Sequence, residues 1–571
     1  MMLMRFVSLL LALSTMICAR PFPAAERARR VNQFRRDFAA SVDAWQKSLA
    51  RPNAVPSVRD LTNGALAIVV LGRPASEAES LMRTAFALQD MTTGAVPWQV
   101  GHPEINDANA IEFACQSVGP MLLHYGHSLS PAFRQEMRPH IRAAFTAMRN
   151  HKVPVSYTNI FLMKTVNLML MGESIGDDEA ASDGYSMLDQ WIEYTEQNGI
   201  HEFDSPTYYS VDLNSLNMGL RFAKRPEIRG KFRAILDYFW TDIAANYFAG
   251  RQDLSGAHSR DYDFLAGNGR LLLHAWLDGL RDAPYTEKPD MEMVYVLENA
   301  LADGYRPGAK ILELAETPER IVVSRWDVKP ERVRYNYVTP GFAMGHANGD
   351  YNAQDKMISV ELASGKDNFP AITVVPDAND QPYGKVKSKD RSGHNKPTHL
   401  PLHPKIVQEK AMLRAVLNLE KLTPESALNI VLPAKADRIV LDGEVIQANQ
   451  PFEKAGGPAS VVGVREGNVA VAIRIFHADG AEPKFVLKAD GESLRWGAAR
   501  YAVYPRSHDK NVRIGMVMIA AACGSDREFA NLIRRARDAK PDLDVPAPPA
   551  NPPVLAVNGQ DLSLAEFLGN R

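Results

Sequence analysis

At about residue 315 the spacing of apolar residues changes, and one kind of secondary structure cannot serve both sides of that point. From about residue 24 to about 312 apolar residues recur with the helical period. "AERARRVNQFRRDFAASVDAWQKSLA" reads as one amphipathic helix, and "ASEAESLMRTAFALQDM" as another with Ser76 as its N-cap. "SPAFRQEMRPHIRAAFTAMRN" opens with Ser130 as cap and Pro131 at the first helical position. "YTNIFLMKTVNLMLMGE", "GYSMLDQWIEYTEQNG", "SPTYYSVDLNSLNMGLRFA" and "EIRGKFRAILDYFWTDIAANYFAG" continue the series with short connections. Such antiparallel pairs close into an α/α toroid or stack as a solenoid. No fixed-period repeat supports the solenoid.

Beyond residue 315 short β-branched runs alternate with turn signals: "RIVVSRWDV", "ISVELAS", "AITVVP", "LNIVLPA", "KFVLKADG", "ARYAVYP", "VRIGMVMIAA". "REGNVAVAIRIF" predicts a hairpin turning at Gly467-Asn468. The pattern predicts an antiparallel β-sandwich. The expected organisation is a signal peptide over 1–19, a toroid over 20–314, a sandwich over 315–538, and a Pro-rich linker with a short tail over 539–571. The polar stretch from Gly384 to Pro404 reads as a long loop.

The first 19 residues carry Arg5, an apolar run from Phe6 to Ile17 and the small pair Cys18-Ala19, the pattern of a secretory signal too short to span a membrane. The expected location is therefore secreted or periplasmic, with no membrane span. Of three cysteines, Cys115 and Cys523 lie beyond the signal and read as separate buried thiols. Formal net charge is −2, from 65 basic and 67 acidic residues, so no global field draws nucleic acid or an anionic surface.

Chemistry-bearing residues collect in three places in the helical half and two in the β half. "NGIHEFDSPTYYSVDLNSL" ends one helix at Gly199 and starts another, capped by Ser205 with Pro206 next. Tyr209, Leu213, Leu216 and Leu220 form its core stripe, while Tyr208 shares a polar face with Asp212 and Ser215. A phenol in a helix's first turn is expected to favour phenolate. His201 and Glu202 lie just before. Asn159 opens a strongly apolar helix, either as its N-cap or aimed into the toroid mouth. "DLSGAHSRDYDFLAGNG" places His258, Arg260, Asp261 and Tyr262 on one loop. In the β half, His346, Tyr351 and Gln354 sit in a glycine-broken turn, as cleft contacts or as ordinary turn residues. His394, His399 and His403 share one polar loop, where a structural zinc or calcium is one reading and substrate contact or a solvated loop another. No cofactor is otherwise required.

The order Asn159, His201, Tyr208, Arg260, with gaps of 42, 7 and 52 residues, resembles the Asn…His…Tyr…Arg set of the hyaluronan, chondroitin and xanthan lyases. The helical half followed by a sandwich also resembles these two-domain polysaccharide lyases, and the heparinase II/III-like and alginate lyase types. The resemblance implies β-elimination on a uronate-containing polysaccharide or oligosaccharide. Asn159 and Arg260 would neutralise the substrate carboxylate, and His201 and Tyr208 would act as base and acid. His258 is an alternative base, with Glu202, Tyr262, His346, Tyr351 and Gln354 as further substrate contacts. Two other readings remain at this stage. Glu202, Asp204 and Asp212 would suit a glycoside hydrolase. Trp98, Trp191, Trp240 and Trp276 would suit a non-catalytic carbohydrate binder.

Overall fold

The computed structural model describes residues 22–102, 104–262, 270–302, 304–363, 371–382, 399–447, 450–480, 482–505, 511–540 and 551–569. The predicted signal segment and His394 lie outside them. Helices α1 (Ala24–Leu49), α2 (Val58–Val70), α3 (Ala75–Phe86), α4 (Ala110–Cys115), α5 (Val118–His124), α6 (Pro131–Asn150), α7 (Thr158–Ile175), α8 (Asp178–Asn198), α9 (Tyr208–Phe222), α10 (Pro226–Asn246), α11 (Arg270–Leu277), α12 (Val294–Leu301) and α13 (Ala309–Glu316) form the first half. Helix α3 starts at Ala75, after Pro74, so Ser76 is inside it rather than its cap. Ser130 caps α6 as expected, its hydroxyl accepting from the Phe133 N–H at 3.2 Å.

Packing resolves toroid against solenoid. Helix α2 packs on α5, α5 on α7, α7 on α9, α9 on α12, and α12 returns to α2, so an inner ring closes; α3, α8 and α10 back α2, α7 and α9 from outside. The closure is hydrogen-bonded. Tyr295 on α12 donates to Asn63 Oδ1 on α2 at 2.6 Å, and Arg59 pairs with Glu292 at 3.2 Å. An inner helix has neighbours on every side, which is why α7 is apolar around most of its circumference and buries every residue except Ser174. Each fully buried Leu, Ile or Met there contributes about 1.5–3 kcal/mol of burial.

A two-residue hairpin, β1 (Tyr247–Phe248) with β2 (Asp253–Leu254), follows α10. The β half then contains β3 (Arg320–Arg325), β4 (Val333–Val338), β5 (Phe342–Ala347), β6 (Ile358–Leu362), β7 (Ala371–Asp377), β8 (Leu402–Glu409), β9 (Met412–Glu420), β10 (Ala427–Pro433), β11 (Arg438–Leu441), β12 (Glu444–Ile446), β13 (Phe452–Gly456), β14 (Val461–Glu466), β15 (Val469–Ala478), β16 (Lys484–Ala489), β17 (Ala498–Tyr504) and β18 (Asn511–Ala522). Two short strands, β19 (Ala556–Val557) and β20 (Gln560–Asp561), come from the tail. One sheet runs β13-β16-β17-β10-β7-β6-β5-β4-β3-β19-β20 and the other β12-β11-β14-β15-β18-β9-β8. Every pairing is antiparallel, and apolar side chains of both sheets meet in one core. Gly467 turns the predicted hairpin with φ 56°, a left-handed value that suits glycine.

The structure corrects three expectations here. Residues 402–404, read as loop, begin β8. His346 is not in a turn. It lies inside β5, stacks on Tyr335 and holds Gln408 Oε1 of the other sheet at 3.0 Å through Nδ1. It belongs to the sandwich core and faces no cleft. The tail is more than a tail. Strand β19 adds to β3, and α14 (Leu564–Gly569) packs on α8 and α10, with Leu555, Val557 and Leu564 buried in the helical core. Among the described residues no helix is long and apolar enough to cross a membrane. Cys115 and Cys523 are separate, buried free thiols.

The two halves meet through buried polar groups. Arg320 on β3 donates to Ala245 O at 2.7 Å and to Tyr247 O, where α10 ends, and to Thr317 O at 2.7 Å, where α13 ends, taking up carbonyls that the helix ends leave open. Gly199 caps α8, its N–H donating to Thr195 O at 2.9 Å. Its φ is 77°, and a Cβ there would meet Arg325 O of β3 at 1.9 Å. Glycine is required both by the turn and by that close approach.

Candidate active site

Three segments converge where the inner helices α7 and α9 begin. Helix α9 starts at Tyr208, two residues later than expected from Pro206, and Ser205 closes the turn that leads into it: its hydroxyl accepts from the Tyr208 N–H at 3.0 Å, and its carbonyl from the Tyr209 N–H at 3.0 Å. Tyr209 turns into the core and donates to Asp242 Oδ2 at 2.6 Å. Tyr208 is left half-buried at the ring's mouth, against Phe113, Ile160 and Val211.

Helix α7 lacks a cap from its own flanking residue. Its cap comes from a distant part of the chain. The Glu202 carboxylate, fully buried, accepts from the Asn159 N–H at 2.8 Å. A negative group at a helix N-terminus satisfies an open amide and complements the dipole. The other Glu202 oxygen accepts from Arg260 Nη1 at 2.9 Å. Asn159 is therefore a buried first-turn residue and not an N-cap. Its side-chain Oδ1 has no hydrogen-bond partner, and its Nδ2 lies 3.5 Å from Glu202.

Arg260 is the hub. Its Nη2 donates to the Tyr208 hydroxyl at 2.8 Å and to the Tyr262 hydroxyl at 2.6 Å. The two hydroxyls also share a short hydrogen bond. The guanidinium carbon lies 4.0 Å from the Tyr208 ring centroid and 5.4 Å from that of Tyr157. Arg260 has φ 45°, left-handed backbone that is strained for a residue with a side chain and costs about 1–3 kcal/mol. Asp355, in the β5–β6 connection, holds that backbone by accepting the Arg260 N–H at 2.8 Å. The same carboxylate takes the N–H groups of Tyr351 and Asn352. A sandwich loop thus sets the position of a toroid residue, and it brings Tyr351 to the site as expected. Gln354 stays within that loop, its N–H donating to Asn352 Oδ1.

Electrostatics corrects the expected phenolate. Burial raises the Tyr208 phenol well above its ordinary value, and the Arg260 charge offsets this only in part. Desolvation beats the helix dipole, and the resting phenol is protonated. Burial also raises Glu202, against the pull of Arg260. Asp212, one turn beyond Tyr208, is fully buried without a hydrogen-bond partner. Burial and then neighbouring Glu202 push it well above the usual carboxylate range.

The histidines fall elsewhere. His258 is buried, with Nδ1 donating to the Asp204 carbonyl at 2.9 Å and 3.2 Å from its carboxylate. Burial, with Lys356 nearby, lowers it to about 3. Its backbone exchanges two hydrogen bonds with Lys356, so it locks the domain junction. His201 lies 3.7 Å from Asp327 and packs edge-on against the Trp326 and Tyr351 rings. It reaches the cluster only through Tyr351. Burial lowers it too, leaving it neutral near pH 7. His399 is buried, while His403 is exposed and paired with Glu420 at 3.1 Å. No group of three or more metal-ligating side chains occurs among the described residues.

Two roles assigned from sequence do not fit this geometry. Glu202 cannot contact substrate, because it is fully buried and engaged by Asn159 and Arg260. Asn159 and Arg260 are both buried and cannot grip a substrate carboxylate directly in this conformation. The carboxylates behind the hydrolase reading are covered as well: Glu202, Asp204 and Asp212 are each fully buried, Asp204 beside Arg334 at 3.3 Å. Paired hydrolytic carboxyls need space for a glycosidic bond between them. Trp191, Trp240 and Trp276 are core residues. Trp98 alone of the four is half-buried, near Tyr157 and Tyr208, with Nε1 donating to Asp107 at 3.0 Å. Tyr157 and Asp355 were not anticipated. The only local signals are an aromatic just before an apolar helix and an acid at the end of "YNAQD".

Residues 93–299, which contain Asn159, Glu202, Tyr208 and Arg260, match a family model described as a domain of unknown function (DUF8769). Among solved structures, a heparinase III is similar with 11% identity and TM-score 0.31, over 81% of this chain and 78% of that one. A chondroitinase AC lyase, from a study of enzyme–oligosaccharide complexes, is similar with 9% identity and TM-score 0.40, over 89% of this chain and 84% of that one. Comparison with curated proteins gives no match.

Proposed function

We propose that this protein is an exported polysaccharide lyase that cleaves a uronate-containing glycan by β-elimination. The reading is carried by one observation, two tyrosine hydroxyls hydrogen-bonded to each other and to one buried guanidinium at the mouth of a helical ring. Elimination moves two protons in opposite senses. A base takes H5 of the uronate, and an acid protonates O4 as the C4–O4 bond breaks. A phenol pair sharing one hydrogen bond supplies both. With one member as phenolate, held by the Arg260 charge, that oxygen takes H5 and the C–H electrons form the C4=C5 bond. The neutral member gives its proton to O4. The two phenols have then exchanged protonation states, and one proton hop along the Tyr208–Tyr262 hydrogen bond restores the start.

Arg260, buried behind the two hydroxyls, acts through them, its charge stabilising whichever phenol is deprotonated during the cycle. Glu202 is its positioning residue. The half-buried rings of Trp98, Tyr157 and Tyr351 offer flat apolar surface for sugar faces at the same mouth. His201 is the alternative base, through its contact with Tyr351.

The test is a panel of hyaluronan, chondroitin, heparan, alginate and pectate, followed by the ultraviolet absorbance of unsaturated product. Tyr208→Phe is expected to lose at least ~10²–10⁴ of turnover while circular dichroism stays unchanged. New reducing ends without that absorbance, or near-wild-type turnover by Tyr208→Phe, would overturn the assignment.

A further inference from the structure

At the opposite end of α9 lies a pocket of about 460 Å³. The site above is at Tyr208, where α9 begins. The pocket starts at Asn217 and Arg221, roughly 14–20 Å further along the axis at 1.5 Å per residue. It is walled by the end of α9, the first turns of α10 and the end of α12.

Its chemistry is one-sided. Arg221, Arg229 and Arg233 line it, and no acidic side chain does among the described residues. Two of the three are fixed from behind. Arg221 Nε donates to Glu298 at 2.8 Å, and Arg229 Nη1 donates to the carbonyls of Ala223 at 2.7 Å and Lys224 at 3.0 Å. Arg233 extends from the next turn of α10 and is exposed. Glu298 offsets the charge of Arg221, and Asp237 accepts from the hydroxyl of the lining residue Tyr305 at 2.8 Å, so among the described residues the guanidinium groups are the only charges on the wall itself. Guanidinium groups fixed in this way suit planar or tetrahedral oxyanions, which they bind with paired N–H groups.

Two further observations point to a ligand. Asn217 lines the pocket, is only 3% exposed, and its Oδ1 has no hydrogen-bond partner. Buried amides are ordinarily satisfied. Gly230 stands inside α10, where glycine is disfavoured, yet a Cβ built there meets nothing within 4 Å. Packing therefore does not demand glycine at that position, and a side chain would take space at the pocket wall. The volume is that of a small-molecule site rather than of a single ion.

We propose that this pocket is a second ligand site, separate from the tyrosine cluster, that binds a sugar-sized molecule through its oxyanion group. Arg229 and Arg233 grip the anion and Asn217 hydrogen-bonds the remainder. Carboxylate, sulfate and phosphate share this chemistry, so the source is decided by experiment. The inference does not depend on the lyase reading, because none of these residues belongs to that cluster.

The full-length protein is titrated with glucuronate, sodium sulfate and inorganic phosphate at matched ionic strength, and binding is followed by calorimetry and thermal shift. At least one of the three is expected to bind saturably and raise the melting temperature beyond the sodium chloride control. Arg233→Ala, at an exposed position, is expected to weaken that binding at least tenfold. Asn217→Asp, nearly isosteric but negative, is expected to abolish it. The strongest ligand identifies the source. Failure of all three anions to exceed the salt control overturns the proposal, and so does unchanged affinity in Arg233→Ala. Neither result bears on turnover at Tyr208.

Discussion

Replacing Glu202 with Gln tests how the cluster is held. The wild-type carboxylate accepts two donors at once, the Asn159 N–H at 2.8 Å and Arg260 Nη1 at 2.9 Å. Gln keeps the shape but presents one carbonyl and one NH₂, so one donor faces another donor. Removing one partner of a buried ion pair costs about 3–5 kcal/mol. Two features place this case at the low end, about 3 kcal/mol. Arg260 keeps both phenol acceptors, and burial already penalises the Glu202 charge. Glu202→Gln should therefore lower unfolding stability by about 3 kcal/mol in urea, read by tryptophan fluorescence. In addition, kcat should fall by about 10²-fold, since a shift of about 1 Å in positioned groups costs that much. KM should change little, because Glu202 touches no substrate. A drop in stability with kcat unchanged would refute the idea that Glu202 positions Arg260 for chemistry. A rise in KM alone would return Glu202 to substrate contact.

Further outcomes follow from the same structure. Because burial holds the Tyr208 phenol well above its ordinary value, log(kcat/KM) should climb with pH from 6 to 9 at a slope near one, as expected for a base that is a minor species; a profile flat over most of that range would indicate His201 instead, which burial lowers. His258, at about 3, and His274 and His346, each at about 4, are neutral in the fold. The unfolded chain binds their protons first, so their contribution is complete above about pH 6.5 and is lost as pH falls towards 3–4. For His258 alone the loss reaches on the order of 4 kcal/mol, and His258→Gln should flatten the acid limb of a stability profile. Leu564, fully buried although it belongs to the tail, should cost about 2–5 kcal/mol when changed to Ala, read by the same urea titration; a value near zero would mean that α14 is not docked.

Much of the scaffold was legible because its signals are local. Ser130, Gly199 and Ser205 each act within a few residues of their own position, and the hairpin at Gly467 needs only its own turn. The change of period at residue 315 likewise marks a real boundary, with α13 ending at Glu316 and β3 starting at Arg320. Strand β5 was not read as a strand because Gly345 and His346 read as a turn, and β4, β8 and β9 were not because Arg, Asn, Tyr and Lys interrupt their apolar alternation. Those residues serve the domain junction and the strand surfaces, and Arg334 and Asn336 are examples. Of the residues singled out in sequence, Asn159, Tyr208, Arg260 and Tyr262 do meet, whereas His201 and His258 lie apart from them. Its wiring was not. Nothing near Glu202 in sequence indicates that it caps α7 or faces Arg260, 58 residues away. The phenol's protonation depends on how many groups surround it, which only tertiary structure sets.

The docking of residues 555–564 has a consequence for how the protein is made. Strand β19 completes a sheet edge while Leu555 and Leu564 fill the helical core. This segment leaves the ribosome after both halves have been synthesised. Until it does, β3 has an open edge and the helical ring an uncovered apolar patch, both of which invite association with other chains. Docking of this segment thus joins the two halves with one clasp, and a product truncated before residue 555 would be recognisable to proteases and chaperones by the surfaces it leaves open.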